Sequence, residues 1–260
     1  MNIFDSKKRA PTLIGMIHLD ALPGSPEFGG DFQEILAHAL ADASALVDAG
    51  FDGLMVENYN DVPFFSNQVP ALTVASMSRC ISAIRIAFPK TPLGVNVLRN
   101  DALSALSIAH ACDAHFIRVN VLSGASVTDQ GLIQSQAADL LRARSAWQSQ
   151  VKIFADVGVK HAVPLGPSEL APVARDTAYR GLADALIVSG IATGAQTSKA
   201  DLDTVKQAVP DRKVFVGSGV TLDNFVPSLA DGFIIGTSIK SNGRVCNRKA
   251  HQMVERRNHP

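Results

Sequence analysis

Eight short apolar runs, each followed by a polar or glycine-rich turn and most by a helix-sized segment, constrain the fold of this chain more than any other feature. The runs are Thr12–His18, Phe51–Glu57, Pro92–Leu98, Ala114–Val121, Val151–Val157, Asp184–Val188, Val214–Val216 and Gly232–Ile235. Between the first two, Ile35, Leu36, Ala39, Leu40, Ala43, Leu46 and Val47 form one stripe at helical spacing, with Asp31 placed to cap it and Gly50 to end it. Helical patterns also cover Pro70–Phe88, Ala102–Ala111, Gln130–Gln148 and Ser168–Arg180, with a short helix expected after Gly219 and a polar closing helix after Asn242. Strands joined by helix-sized crossovers run parallel. The 260 residues suit one closed barrel. The expectation is an α/β chain: a single (β/α)8 barrel of the phosphate-binding type spanning 1–260. An open doubly wound sheet is the alternative, weakened because no GxGxxG follows the first strand.

The last two βα turns bear on function. Gly217-Ser218-Gly219 follows the seventh run, and Gly236-Thr237-Ser238 follows the eighth. Glycine lets backbone approach a ligand, and a helix start adds free N–H groups. Two such turns on neighbouring strands predict one anion cradle, with Gly194 after the sixth strand beside it. The plainer alternative is a pair of ordinary turns that need glycine only for geometry.

Side chains alternate between the two faces of a strand. One face then carries Ile14, Met16 and His18; Gly53, Met55 and Glu57; Gly94 and Asn96; Phe116, Arg118 and Asn120; and Lys152, Phe154 and Asp156. Polar groups thus gather at the carboxyl ends, where barrels of this class do chemistry. If Arg118 points inward it needs a partner, because an unpaired buried charge is costly. Glu57 and Asp156 are the candidates. Arg118 then either holds an anionic substrate or forms a structural ion pair. Glu57, Asp156, Lys160, His18 and His161 are the catalytic candidates, for proton transfer or, at Lys160, a Schiff base. Asn96, Arg99, Arg118 and Asn120 are the substrate-binding candidates, with Asn120 read as a donor. Each has a plainer reading: Lys160 and His161 as solvated loop residues, and His18 as a hydrogen-bonded support.

Lys and Arg number 24 against 24 Asp and Glu, so no basic field suggests nucleic acid. Cys80, Cys112 and Cys246 are too few and too scattered for a disulfide framework or a CxxC site, and suggest a reducing compartment. No apolar run approaches the ~20 residues of a membrane span. A cytoplasmic location is expected. No cofactor is expected either. His18, Glu57, Asp156 and His161 are compatible with a divalent metal, but no HxH or HExxH spacing supports one. The expected partner is a small phosphorylated molecule, and a homo-oligomer is compatible with the sequence. No GxxxxGK[ST] loop supports nucleotide hydrolysis.

Several of these stretches together resemble the BtpA/SgcQ family. They are HLDALPGSP (18–26), DGLMVENYNDVPF (52–64), LGVNVLRNDALSAL (93–106), FIRVNVLSGASVTDQGLI (116–133), ADVGVKHA (155–162), ADALIVSGIATG (183–194), VGSGVTLDN (216–224) and IIGTSIK (234–240). The resemblance runs from about Leu13 to Glu255 and implies a phosphate-binding-type (β/α)8 barrel. It also implies kinship with proteins implicated in photosystem I biogenesis, and with others found where no photosystem exists, including a sugar-operon setting. It brings no settled reaction, so positions rather than roles are carried over. These are His18, Glu57, Asn58, Asn96, Arg99, Asn100, Arg118, Asn120, Asp129, Asp156, Lys160 and His161. Asp20-Ala21 and Gly158 depart from the family pattern and leave the first-loop shape and position 158 open. The leading expectation is an isomerase, epimerase, lyase or aldolase acting on a small phosphorylated metabolite, as in sugar phosphate metabolism. The alternative is a non-catalytic assembly or regulatory protein, with Phe64-Phe65 and the tail helix as contact surfaces.

Overall fold

A computed structural model describes residues 10–158, 162–166, 168–189 and 197–259. In chain order the elements are β1 (Thr12–His18), α1 (Phe32–Ala49), β2 (Gly53–Glu57), α2 (Ala71–Ala87), β3 (Leu93–Asn96), α3 (Ala102–Ala111), β4 (Phe116–Val119), β5 (Ala125–Thr128), β6 (Gly131–Gln134), α4 (Ala137–Ala146), β7 (Lys152–Val157), β8 (Ala162–Pro164), α5 (Leu170–Arg175), β9 (Ala185–Val188), α6 (Lys199–Ala208), β10 (Lys213–Val216), β11 (Gly232–Ile235), β12 (Lys240–Ser241), β13 (Arg244–Val245) and α7 (Asn247–Asn258). Eight strands close in the order β1-β11-β10-β9-β7-β4-β3-β2, all parallel, with β1 bonded to both β11 and β2. The eight expected strands are the eight barrel strands, with bounds that agree to within two residues at every end, and the closed barrel excludes the open sheet.

The barrel interior is the face expected from period two. Ile14, Met16, Met55, Phe116, Phe154, Ala185, Ile187, Phe215 and Ile234 form one buried cluster inside the ring. Phe116 stacks on Phe154 at 4.8 Å, and Phe154 meets Phe215 at 5.0 Å. Rings of this size fit because two strands yield space: a Cβ on Gly94 would lie 2.2 Å from the Phe116 ring, and one on Gly232 would lie 2.2 Å from the Phe215 ring. The opposite strand face supplies Leu13, Ile17, Leu54 and Val56 to a second core shared with the helices. There Ile35, Ala39, Ala43 and Leu46 of α1 are buried, Asp31 accepts from Gln33 N at 2.7 Å, and Gly50 ends the helix at φ 92°.

Two expectations about connections fail. Gln130–Gln148 is not one helix, because Ala125–Thr128 and Gly131–Gln134 form an antiparallel hairpin before α4 begins at Ala137. The turn is set by the Thr128 hydroxyl, which accepts from Gln130 N at 3.2 Å, and by Gly131 at φ 93°. No α-helix follows Gly217-Ser218-Gly219. Asn224 instead closes a polar turn, accepting from Thr221 N at 2.8 Å and donating to Gly219 O at 2.7 Å, and only the 3-10 turn Pro227–Leu229 follows. The Ser168–Arg180 segment is helical from Leu170, and its last turn, Asp176–Arg180, is a π-helix. Pro172 sits in the first turn of α5, where no intrahelical N–H is required. Among the described residues no helix is long and apolar enough to cross a membrane.

Candidate active site at the carboxyl end of the barrel

A cavity of about 360 Å³ opens where the barrel strands end. Its wall includes His18, Glu57, Arg99, Arg118, Asn120, Gly217, Ser218, Gly219, Gly236, Thr237 and Ser238. Eleven residues singled out in the sequence thus meet in one place although they come from six βα units. Asn96 and Asp156 lie just beneath, buried, and reach the cavity through the side chains they hold. Lys160, His161 and Gly194 fall outside the described residues.

Asp156 is the best-satisfied charge at this end. Arg118 grips it with two donors, Nε to Oδ2 at 2.9 Å and Nη2 to Oδ1 at 2.8 Å. Asn120 Nδ2 adds a bond at 2.9 Å, and Ser189 Oγ one at 3.3 Å. Of the two candidate partners for Arg118, Asp156 is the one paired. Burial opposes the guanidinium charge, but Asp156 outweighs it and holds the Arg118 pKa above its usual range. The same region bears on two expectations. One N–H of the Asn120 amide is engaged by Asp156. Gly217 N donates to Val188 O at 2.9 Å, so this amide belongs to the sheet. The missing side chain of Gly217 serves packing, since a Cβ there would lie 2.3 Å from Ile187 Cγ2, 2.6 Å from Ser189 Oγ and 3.3 Å from Arg118 Nη2.

Glu57 has thinner company. Asn96 Nδ2 donates to its Oε2, and His18 Nε2 lies 3.9 Å from its Oε1. Burial pushes the Glu57 carboxyl above its usual pKa, against the pull of Arg118 and Asn96. His18 moves the other way, down to about 3, because it is buried and because Lys240 and Arg118 repel a second positive charge. It is therefore a neutral imidazole at physiological pH. Its ring stacks on Tyr59 at 4.1 Å with planes 11° apart. It also packs against the Gly236 backbone, where a Cβ would come within 3.3 Å of the ring.

Arg99 is half-buried on the far wall. Burial lowers its pKa, against the attraction of Asp156, Asp129 and Glu57. Asp129, at the turn between β5 and β6, is close enough to Arg99 to attract its charge. Nearby loops are pinned by side chains: Asn58 accepts from Leu98 N at 2.8 Å, Asp61 from Leu22 N at 2.7 Å, and Asn100 from Val121 N at 2.8 Å. Asp101 caps α3 through Ser104 N at 2.9 Å.

The two late turns present hydroxyls. Ser218 Oγ and Ser238 Oγ are buried and, among the described residues, have no hydrogen-bond partner. They follow β10 and β11, which pair directly. Lys240, two residues after Ser238, is buried with its ammonium 3.6 Å from Asp42. No sequence motif singles out Lys240 or Tyr59. The available signal for Tyr59 was its place two residues beyond Glu57 at a strand end. Among the described residues no group of three or more His, Cys, Asp or Glu is arranged to hold a metal ion.

Fold and site together define a (β/α)8 barrel with ionisable and hydroxyl-bearing side chains around one cavity at its carboxyl end. The chain belongs to the BtpA family, whose model matches residues 9–259. It is 50% identical to an uncharacterised protein of Thermococcus kodakarensis, with 94% of each chain covered. It is 42% identical to the photosystem I biogenesis protein BtpA of Synechocystis, covering 94% of this chain and 86% of that one. The Escherichia coli protein described as putative sgc region protein SgcQ is 32% identical, covering 95% and 94%. Among solved structures, phosphoribosyl anthranilate isomerase from Thermus thermophilus superposes with a TM-score of 0.59 at 12% identity, covering 95% of this chain and 98% of that one. The 3-keto-L-gulonate-6-phosphate decarboxylase from Vibrio cholerae does so with 0.58 at 14%, covering 96% and 98%. At such identities these likenesses establish the fold.

Proposed function

We propose that this protein is an enzyme acting on a small phosphorylated metabolite by proton transfer next to a carbonyl, an isomerase- or lyase-type reaction. The observation that carries the reading is the pair of buried, unpartnered hydroxyls, Ser218 and Ser238, on adjacent turns of a cavity that also contains Glu57 and His18. A buried hydroxyl without a partner is costly unless a ligand supplies one. A phosphate, with several acceptor oxygens, suits two hydroxyl donors and the backbone of Gly219 and Thr237. The names of the two barrel enzymes above, one phosphoribosyl and one 6-phosphate, add support for a phosphorylated ligand on this fold.

Glu57 is the proton carrier in this reading. A carboxyl that burial raises above its usual pKa matches the task of a general base better than an ordinary one. It takes a proton from the carbon next to the carbonyl, and the electron pair moves onto the carbonyl oxygen. Neutral His18 donates its N–H to that oxygen, and Arg118 balances the developing charge. Lys160 remains the Schiff-base candidate for an aldolase-type variant, which borohydride trapping with keto-phosphates would detect as an adduct.

The test is solvent exchange. Phosphorylated ketoses and aldoses incubated in D2O with the protein should gain deuterium at carbon, by NMR, and Glu57→Gln should slow this at least a hundredfold, as expected for loss of a general base. Absence of exchange, isomerisation or cleavage across the panel would favour the second reading, a non-catalytic assembly or regulatory role. That reading draws on the name of the Synechocystis relative and on the exposed Val62 and Phe65 beside the cavity. It predicts that Glu57→Gln and Asp156→Asn leave the cellular phenotype intact.

A further inference from the structure

Asn120 sharpens the ligand class, on the premise that the cavity binds a phosphate as proposed above. The residue is 5% exposed, and it lines the cavity at the end of β4. One edge of its amide faces Asp156 Oδ2 at 2.9 Å. Both Asp156 oxygens also receive donors from Arg118, so this carboxylate acts as an acceptor. The amide edge against it must be the NH2, which fixes the flip of the side chain. Oδ1 is then turned the other way. It is buried and, among the described residues, has no hydrogen-bond partner. A carbonyl oxygen in that position calls for a donor from the ligand. An ammonium is disfavoured, because Arg99 and Arg118 line the same cavity and like charges repel strongly away from water. A neutral hydroxyl fits both the acceptor and the field.

We infer that the ligand is a polyhydroxylated phosphate ester, one of whose carbon-bound hydroxyls donates to Oδ1 of Asn120. Asn120 is thereby a specificity residue that tells a hydroxylated carbon from a bare one. The cavity of about 360 Å³ accommodates such an ester without a large additional group. A site built around a hydroxyl rejects the analogue lacking it, since the buried acceptor would then go unpaired. The expected discrimination is on the order of tenfold to a hundredfold.

Calorimetry on the full chain tests this with inorganic phosphate and two matched pairs: n-propyl phosphate against glycerol 3-phosphate, and n-pentyl phosphate against ribitol 5-phosphate. In the wild type the hydroxylated member of at least one pair should bind tenfold tighter or more. Asn120→Ala should abolish that gap, so that both members bind alike. Asn120→Ser serves the same purpose if the alanine variant does not fold. Equal binding within both pairs, or a gap that survives in the variant, would overturn the inference while leaving phosphate binding standing. Failure of inorganic phosphate and of every ester to bind the wild type would instead overturn the phosphate reading and this inference with it.

Discussion

Glu57 and Asp156 are both buried carboxylates at the carboxyl ends of barrel strands, yet their surroundings make them opposites. Asp156 receives hydrogen bonds from Arg118, Asn120 and Ser189, one of them a two-pronged guanidinium contact. Glu57 accepts from Asn96 and has a neutral imidazole 3.9 Å away. Burial alone therefore does not decide what a carboxylate does here. A charge ringed by donors is an anchor, and one left with few is more easily protonated. The largest effect expected from this contrast is at Asp156. Asp156→Ala strands the Arg118 guanidinium inside the barrel and should cost about 3–5 kcal/mol in denaturant unfolding. A loss below about 1 kcal/mol would break the comparison, since Asp156 would then be no anchor.

The second test concerns the imidazole beside Glu57. His18 has its pKa lowered from 6.5 to about 3. Between these values the unfolded chain binds a proton that the folded chain does not. Stability tied to His18 is therefore whole above pH 6.5 and falls as pH drops toward 3. The slope is at most ~1.4 kcal/mol per pH unit. His18→Gln should flatten that part of the stability profile, and NMR of the wild-type His18 ring should show no protonation at pH 5. A ring that titrates near 6.5 would mean that Glu57 has a cationic neighbour. The distinction between the two carboxylates would then blur.

Much of this contrast was legible before any coordinates, and the reason is periodicity. Two-residue alternation put Ile14, Met16, Met55, Phe116 and Phe154 inside the barrel, and placed Glu57, Arg118 and Asp156 on the same face. Alternation cannot say which carboxylate the arginine takes. The register decides that: Arg118 lies opposite Phe154 on β7, two residues short of Asp156, while Asn96 stands between it and Glu57. Glycine was half legible. Gly217 did mark a close approach, but Ile187, Ser189 and Arg118 are what come close. The Gln130–Gln148 segment misled because helix formers such as Gln and Leu outnumber the local cues for a hairpin. Thr128 and Gly131 were those cues, and they acted through one turn. The Asn120 amide could be placed in sequence, but its orientation depends on a carboxylate 36 residues away.

Glu57→Gln is a smaller perturbation with an informative sign. The Glu57 carboxyl is raised above its ordinary 4.5, so the folded chain holds its proton to higher pH than the unfolded chain does. The stability that goes with it is present below pH 4.5 and is lost as pH climbs through the raised value. Glutamine keeps the shape and an oxygen for Asn96 but sheds the buried charge. The variant should thus match the wild type in acid and equal or exceed it at pH 8. Thermal unfolding at the two pH values reads this directly. A variant weaker than the wild type at pH 8 would show that the Glu57 charge is stabilised in the fold, as that of an anchor is.

The smallest effect belongs to Ser189. Its hydroxyl is the longest of the contacts to Asp156, at 3.3 Å, and Arg118 and Asn120 hold that carboxylate without it. A well-formed hydrogen bond to a charged group is worth about 1.5–3 kcal/mol, and a long one on an already satisfied acceptor falls well below that. Ser189→Ala should therefore lower stability by about 0.5 kcal/mol, well short of the loss at Asp156. The corresponding cut at the other carboxylate is Asn96→Ala, which removes the amide that donates to Glu57. Because Glu57 has fewer donors, the same kind of deletion should act on its protonation, moving its titration further upward by NMR or by the pH dependence of exchange. If removing Ser189 proved as costly as removing Asn96, the ring of donors around Asp156 would not be redundant, and redundancy is what separates the anchored carboxylate from the more easily protonated one.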